Sequence, residues 1–381
     1  MSIYEHRLSK VRQAMAERDI DLMFLSPLAS WQYLTGVVRQ QNYSEMIFPG
    51  DWIRGAFISQ DKGPILCVPR LQSEVLIRQT QGKPWIQDVR VCGEQDDADA
   101  LLKGIIADLG VRGNTVAMGD RAWASSVSAI RRALPGATVT MASEIIMPLR
   151  VIKDEEEIAM LRKAGQISEA VFQEIVDGLR PGVTEHDVSY EIERLSARYG
   201  CDGGCTAVGV RFMRPGHRRS IFVKTTDEKL QYGDTISFDF GLWYEGFCSD
   251  VGTTVSFGEP TDEFRKIHTI VMRAQHAAID AMKDGKITGE EMDRIARGVI
   301  TEEGYREKFV HRLGHAIGLD VHEAPFLDEG EKTVLRSGMC FCLEPSINLG
   351  HVGCRAEDMV VVRENGGEPL TGFSRRMYVA G

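Results

Sequence analysis

The chain has 381 residues, 43% of them hydrophobic, with 55 acidic against 45 basic side chains and a formal net charge of −10. That length exceeds what one hydrophobic core usually serves, and the apolar content suffices for two cores without staples. The acidic balance and the lack of a dense Lys/Arg cluster argue against nucleic acid or an anionic membrane as a partner, and no run of about 18 apolar residues is present to span a bilayer.

The opening MSIYEHRLSKVRQAM lacks the apolar core of a signal peptide, so the cytoplasm is the expected compartment. Tyr4, Leu8, Val11 and Met15 instead form the stripe of an amphipathic helix. DLMFLSP, GAFIS, PILCVP and TVAMGD then read as short buried strands, with helical spacing in LQSEVLIRQT, DADALLKGIIADL and SSVSAIRRAL between them. This alternation predicts an α/β domain of about 140 residues. The stretch from Arg39 to Arg54 mixes aromatics, amides and arginines.

Pro148 and the acidic run Asp154 to Glu157 mark a junction, where Asp154 can cap a helix whose positive end favours the glutamates. Ile158, Leu161, Ala164, Ile167, Val171, Ile175 and Leu179 line one face of that helix. Thr184 and Asp187 make a weak capping box for a second helix, with His186 facing solvent in its first turn. Further helices are expected over about 262–283 and 290–303. No repeat is visible at the level of motif identity.

Five residues then carry the chemistry: Asp239 in SFDFG, Asp250 in FCSDVG, His315 in LGHAIGL, Glu344 in CLEPSI and Glu357 in RAEDMV. The aspartates flank a Tyr244-Glu245-Gly246 turn between two alternating runs, a hairpin pattern that brings both carboxylates to one face. Hard oxygens with one imidazole form a cage for two divalent ions, suited to manganese, iron(II) or cobalt, or zinc in a mixed site. The eight cysteines lack the dense spacing of a disulfide scaffold and are expected as free thiols. Cys248, Cys340, Cys342 and Cys354, which flank the five positions, are expected to pack.

The segments GDTISFDFG, FCSDVGTT, HRLGHAIGLDVHEAP, MCFCLEPSI and GCRAEDMVVV, in this order, resemble the "pita-bread" metallopeptidases, comprising methionine aminopeptidase, aminopeptidase P and prolidase, with creatinase as a metal-free relative. The helix-then-strand opening and Trp31-Gln-Tyr-Leu-Thr-Gly36 also resemble the N-terminal domain of the prolidase and creatinase branch. The resemblance implies an α+β fold: a creatinase-like α/β domain over 1–143 and a pita-bread catalytic domain of two pseudo-symmetric halves over 144–381. It implies that Asp239, Asp250, His315, Glu344 and Glu357 hold two divalent ions (Mn, Co, Fe or Zn), with Asp250 or Glu357 bridging them. His322 is then the histidine at the substrate carbonyl and developing oxyanion, and His311 lines the pocket. Glu344 moves the proton in C–N hydrolysis. Arg355, two residues before Glu357, is expected to orient the carboxylates around the ions and to be a substrate-binding residue, against the alternative of a surface ion pair. The expected protein is a homodimer acting on a small peptide or amide, foremost an Xaa-Pro dipeptide. In such dimers the stretch from Arg39 to Arg54 reaches toward the partner's active site, which makes Arg39, Tyr43, Trp52 and Arg54 candidates for gripping a substrate carboxylate, against the alternative of an ordinary dimer-interface loop.

Two departures from the peptidase pattern touch the substrate side. The proline-specific members carry a histidine upstream of the first aspartate, where this chain has Ser220-Ile-Phe-Val-Lys224, with His217 the nearest candidate. Where they show an arginine before a threonine after the second aspartate, this chain has Gly252-Thr253-Thr254. Hydrolysis of a cyclic or guanidino compound (ectoine hydrolase-like or creatinase-like), or dimethylsulfoniopropionate cleavage, is therefore an alternative activity. A non-catalytic pseudopeptidase is a third, disfavoured by the five retained positions.

Overall fold

The opening stripe forms the helix Ile3–Glu17, which buries Leu8, Val11 and Met15. The Ser2 hydroxyl accepts from the Glu5 amide while the Glu5 carboxylate accepts from the Ser2 N–H, so two otherwise unpaired donors are satisfied at its start. The structure, a computed structural model, describes residues 2–39, 50–206, 208–217, 225–372 and 376–381. It divides into two units, Met1–Arg150 and Val151–Gly381.

The first unit is built on a six-stranded sheet. Its order is Asp88–Cys92, Ile65–Pro69, Gly55–Ser59, Leu22–Leu25, Thr115–Met118 and Thr138–Met141. The four central strands are those read from the sequence. The two at the edges were not: DVRVC and TVTM are only partly buried, so they lack the apolar run that marks an inner strand. The helices Arg70–Thr80, Ala98–Asp108 and Ala124–Ala133 fall where the spacing predicts them. The unit also keeps the helix Ser143–Arg150, beyond the expected boundary at 143. Its end is tied back by the Tyr33 hydroxyl donating to the Leu149 carbonyl (3.1 Å) and by Arg150 Nη1 donating to Ser30 Oγ (3.1 Å).

Of the candidate carboxylate grips in this unit, Arg54 is buried against Asp51, with Nη1 2.9 Å from Oδ1. Arg39 is likewise buried, its backbone N–H donating to Gln32 Oε1. Tyr43 lies outside the described residues.

In the second unit Asp154 and Glu157 form a full capping box on the helix Glu155–Gly178, and Thr184 and Asp187 form one on Glu185–Arg198. A second helix pair, Asp262–Ala281 and Gly289–Glu302, follows the strands of the first. Element order thus repeats although the residues do not. The main sheet runs Glu323–Leu327, Gly314–Ala316, Cys340–Leu343, Gly353–Arg363, Val251–Phe257, Thr235–Phe240 and Gly209–Met213. Each half has its own core, one around Phe264, Leu313, Phe341 and Val360, the other around Phe172, Phe212, Phe238 and Val255. The halves join where Val251–Phe257 pairs antiparallel with Gly353–Arg363, Gly252 facing Glu357. Among the described residues, no helix is long and apolar enough to cross a membrane.

Candidate metal centre

The predicted hairpin is present but broken in two. Thr235–Phe240 pairs with Val251–Phe257, whereas Leu242–Tyr244 pairs with Phe247–Cys248 in a separate three-stranded sheet. Glu245 (φ 51°) and Gly246 (φ 79°) supply the left-handed turn between the latter pair. Asp250 stands in the break just before Val251–Phe257, and Asp239 lies opposite Gly252. Residues 250 and 252 share a face, so the two carboxylates converge diagonally across the pair. Gly252 is required there: a Cβ would lie 2.5 Å from Glu357 Oε2 and 2.8 Å from Arg355 Cδ. The Gly252-Thr253-Thr254 departure thus leaves room for the arginine and glutamate of the facing strand.

Strand phase places the other three. His315 faces Cys342, and Cys342 faces Met359. Glu344 is two residues on from Cys342, and Glu357 two before Met359, so all point to the same side. From the helix Asp262–Ala281, the fully buried Gln275 donates through Nε2 to the carbonyls of Leu343 (3.3 Å) and Ala356 (3.0 Å). It thereby ties together the residues just before Glu344 and Glu357. All five predicted residues line one pocket of about 370 Å³, together with Thr206, His311, Arg312, His322 and Arg355.

Arg355 is embedded in the carboxylates. Its Nη1 pairs with Asp239 and lies 3.2 Å from Glu357 Oε2, and its Nη2 lies 3.3 Å from Glu344 Oε2. Burial pushes the Glu344 and Glu357 carboxyls above their usual range, Arg355 opposing and the neighbouring carboxylates adding to the rise. His315 hydrogen-bonds through Nδ1 to the Ala316 carbonyl (3.1 Å), which assigns the proton there. Its Nε2 is left facing Asp250 Oδ2 at 3.5 Å and Glu344 Oε1 at 3.8 Å.

These residues fit a divalent cation. Asp250 Oδ1 is buried without a hydrogen-bond partner. Asp250, His315, Cys342 and Glu357 each bring one donor atom to within 4.8 Å of the others. Four carboxylates against one buried guanidinium leave an excess of negative charge, which buried groups do not carry unpaired. Cys342, expected only to pack, brings its thiol to this cluster.

The pocket wall carries the remaining histidines. The His311 Nδ1–H donates to the Arg312 carbonyl (2.8 Å), and Nε2 accepts from Ser346 Oγ (2.7 Å), an assignment made from the partners. Burial first, then the charge of Arg355, lowers its pKa to about 4. We expect the His311 ring to stay neutral through pH 5–9. A midpoint near 6.5 in an NMR titration of the ring would contradict that environment. His322 stands edge-on to His315 with ring centroids 4.2 Å apart, its pKa lowered by burial and then by His315. His217 is elsewhere: Gly209 faces Asp239, so the strand Gly209–Met213 runs away from the site, about 14 Å over its length. His217 lies beyond that far end, 3.6 Å from Glu228. Ser220–Lys224 lies outside the described residues. Thr206, Arg312 and Cys342 went unread as site residues, since nothing in their local pattern separates them from turn, surface or core positions.

Buried oxygen donors beside an open pocket are the setting in which enzymes ionise water or polarise a carbonyl, so fold and site together define a metallohydrolase. Sequence and structural comparisons narrow this class. Residues 159–364 match metallopeptidase family M24, and residues 7–152 match the creatinase/prolidase N-terminal domain. The chain is 33% identical to an Xaa-Pro dipeptidase of Lactobacillus delbrueckii subsp. lactis, with 98% of each chain covered. Among solved structures, it resembles a dipeptidase from Pyrococcus horikoshii OT3 (TM-score 0.86, 30% identity, 98% and 99% covered). It also resembles an Xaa-Pro dipeptidase from Bacillus anthracis (TM-score 0.83, 29% identity, 99% of each covered). The chain belongs to metallopeptidase family M24, on its creatinase/prolidase branch.

Proposed function

We propose that this metallopeptidase is an Xaa-Pro dipeptidase whose Asp239, Asp250, His315, Glu344 and Glu357 hold two divalent ions. The observation that carries the reading is the meeting of these residues in one pocket around an unpartnered Asp250 oxygen. Two ions bound there would supply Lewis acidity for a carbonyl and an ionised water at neutral pH. Glu344 is the proton carrier: its carboxyl, held above the usual range, takes a proton from the attacking water and passes it to the leaving nitrogen. His322, kept neutral, donates a ring N–H to the developing oxyanion. Arg355 holds Asp239, Glu344 and Glu357 in position, and His311, locked between Arg312 and Ser346, shapes the wall. A cytoplasmic homodimer is the setting proposed for this activity.

The test is elemental analysis of protein loaded with manganese, cobalt, iron(II) or zinc, paired with hydrolysis of Ala-Pro. About two ions per chain and release of proline are expected; protein that takes up no metal, or cleaves no Xaa-Pro dipeptide when loaded, would overturn the reading. His322→Ala should lower kcat by about 10²–10³, the scale of one lost oxyanion donor. An unchanged kcat would remove His322 from that role. The position of His217 favours one second reading, hydrolysis of a small non-peptide amide on the same residues, which a screen of cyclic amides alongside Ala-Pro would separate.

A further inference from the structure

We propose that the buried ion pair Lys153–Glu323 positions His322, holding from behind the loop that carries this histidine to the pocket. The proposal rests on the role given to His322 above and adds the residues that keep its ring in place.

His322 stands half-exposed on the pocket wall, so close packing does not set the direction of its ring. Glu323, next in the chain, points the other way, as successive side chains do on an extended backbone, and its side chain is 1% exposed. Its carboxylate reaches inside the loop 317–322 that leads from His315 to His322. There Oε2 accepts from Lys153 Nζ (2.9 Å) and Oε1 from the Asp320 N–H (3.1 Å). The space is filled: a Cβ on Gly318 would lie 2.8 Å from Oε1 and 3.0 Å from both Oε2 and Lys153 Cε. Ala316 faces Glu323 across the strand pair, so the carboxylate closes the loop at its base. Lys153 is fixed in turn, its N–H donating to the Gly338 carbonyl (2.9 Å) and the next residue, Asp154, capping the helix Glu155–Gly178. Cys248 adds a second tie, its N–H donating to the Gly318 carbonyl (2.9 Å) and its thiol to that of Leu319 (3.5 Å).

Stability alone does not call for such a pair. Taking two charges out of water is expensive, and a well-packed apolar pair of similar volume would hold the fold as well or better. What an apolar pair lacks is direction. Charge-assisted hydrogen bonds fix the carboxylate in distance and angle, and one residue of backbone carries that constraint to the Cα of His322. An oxyanion donor is effective only when it already stands where the charge will develop, so the reaction gains from a rigid support behind the ring. Lys153 and Glu323 touch neither substrate nor ions in this arrangement; they act through His322.

The experiment measures Ala-Pro turnover by the manganese-loaded protein for Glu323→Gln and for the double variant Lys153→Met/Glu323→Leu, each with and without His322→Ala. Both changes are expected to lower kcat about 10–100-fold with KM within about threefold of wild type and metal content unchanged, the scale of a catalytic group displaced by about 1 Å. The double variant, an apolar pair, should melt near the wild-type temperature, which separates lost positioning from lost stability. In the His322→Ala background neither change should lower kcat further, because nothing is left to position. Wild-type kcat in the double variant, or the same fold loss with and without His322, would overturn the proposal. Should Glu323→Gln fail to fold, the double variant still decides. A second readout needs no turnover: the His322 ring signal of zinc-loaded, ¹³C-histidine-labelled protein, identified by its loss in His322→Ala, should shift in both variants, and an unmoved signal would also overturn the proposal. The two readings therefore fail separately. A shifted signal beside a fully active His322→Ala would sink the oxyanion role and leave the support standing; an unmoved signal beside an impaired His322→Ala would sink only the role of the ion pair.

Discussion

Asp250→Ala is expected to take hydrolysis below detection and to strip most of the bound metal, with Glu344→Ala likewise inactive. Asp250 presents one oxygen to His315 at 3.5 Å and leaves the other buried and unpartnered, the donor atom that a cation would take. The same change should not harm the empty protein. Removing one of four clustered carboxylates relieves repulsion in a buried space, so metal-free Asp250→Ala should melt at or above the wild-type temperature. Added metal should then raise the melting point of wild type by mass action and leave the variant nearly unmoved. Metal content by elemental analysis, melting curves with and without metal, and Ala-Pro turnover check all three. A variant with wild-type turnover would remove Asp250 from the mechanism.

Arg355→Met should be the most destabilising single change in the site. The guanidinium is 4% exposed and pairs with three carboxylates, and deleting one partner of such a buried set typically costs about 3–5 kcal/mol. The pH dependence has a definite sign. Glu344 and Glu357 have folded values raised by burial above those of the unfolded chain. The folded state therefore binds the extra protons, so the stability they contribute is full below the unfolded value, about 4.3, and is lost as pH rises through the folded values. Arg355 lowers both carboxyls, so its removal raises them further and widens that loss. The deficit of metal-free Arg355→Met, measured by urea unfolding, should be larger at pH 8 than at pH 5. Equal deficits at the two pH values, or a cost below about 1 kcal/mol, would mean that the arginine is not compensating these carboxylates.

Much of the fold was legible because burial imposes a period. The stripe Leu8, Val11, Met15 and the face Ile158 to Ile175 became helices at those positions, with the caps at Asp154 and Thr184 in place. The edge strands Asp88–Cys92 and Thr138–Met141 escaped because, only partly buried, they carry no continuous apolar run. Asp239, Asp250, His315, Glu344 and Glu357 could be found because each sits in a short motif and the motifs keep their order. The place of His217 could not, since it depends on the direction in which the strand Gly209–Met213 leaves Asp239.

The amino-acid order by itself determined the chemical inventory: which carboxylates and imidazoles exist, which helix face is apolar, and that the class is hydrolytic. Only the tertiary structure decided which charges cancel. Arg355 and Arg312 are both arginines beside a candidate site residue in the chain, yet one is absorbed by carboxylates from three other positions while the other faces the pocket against Phe326. Local periodicity reports burial, but the neutralisation of a charge depends on partners as far as 116 residues away along the chain, so it is settled only when the strands are in register.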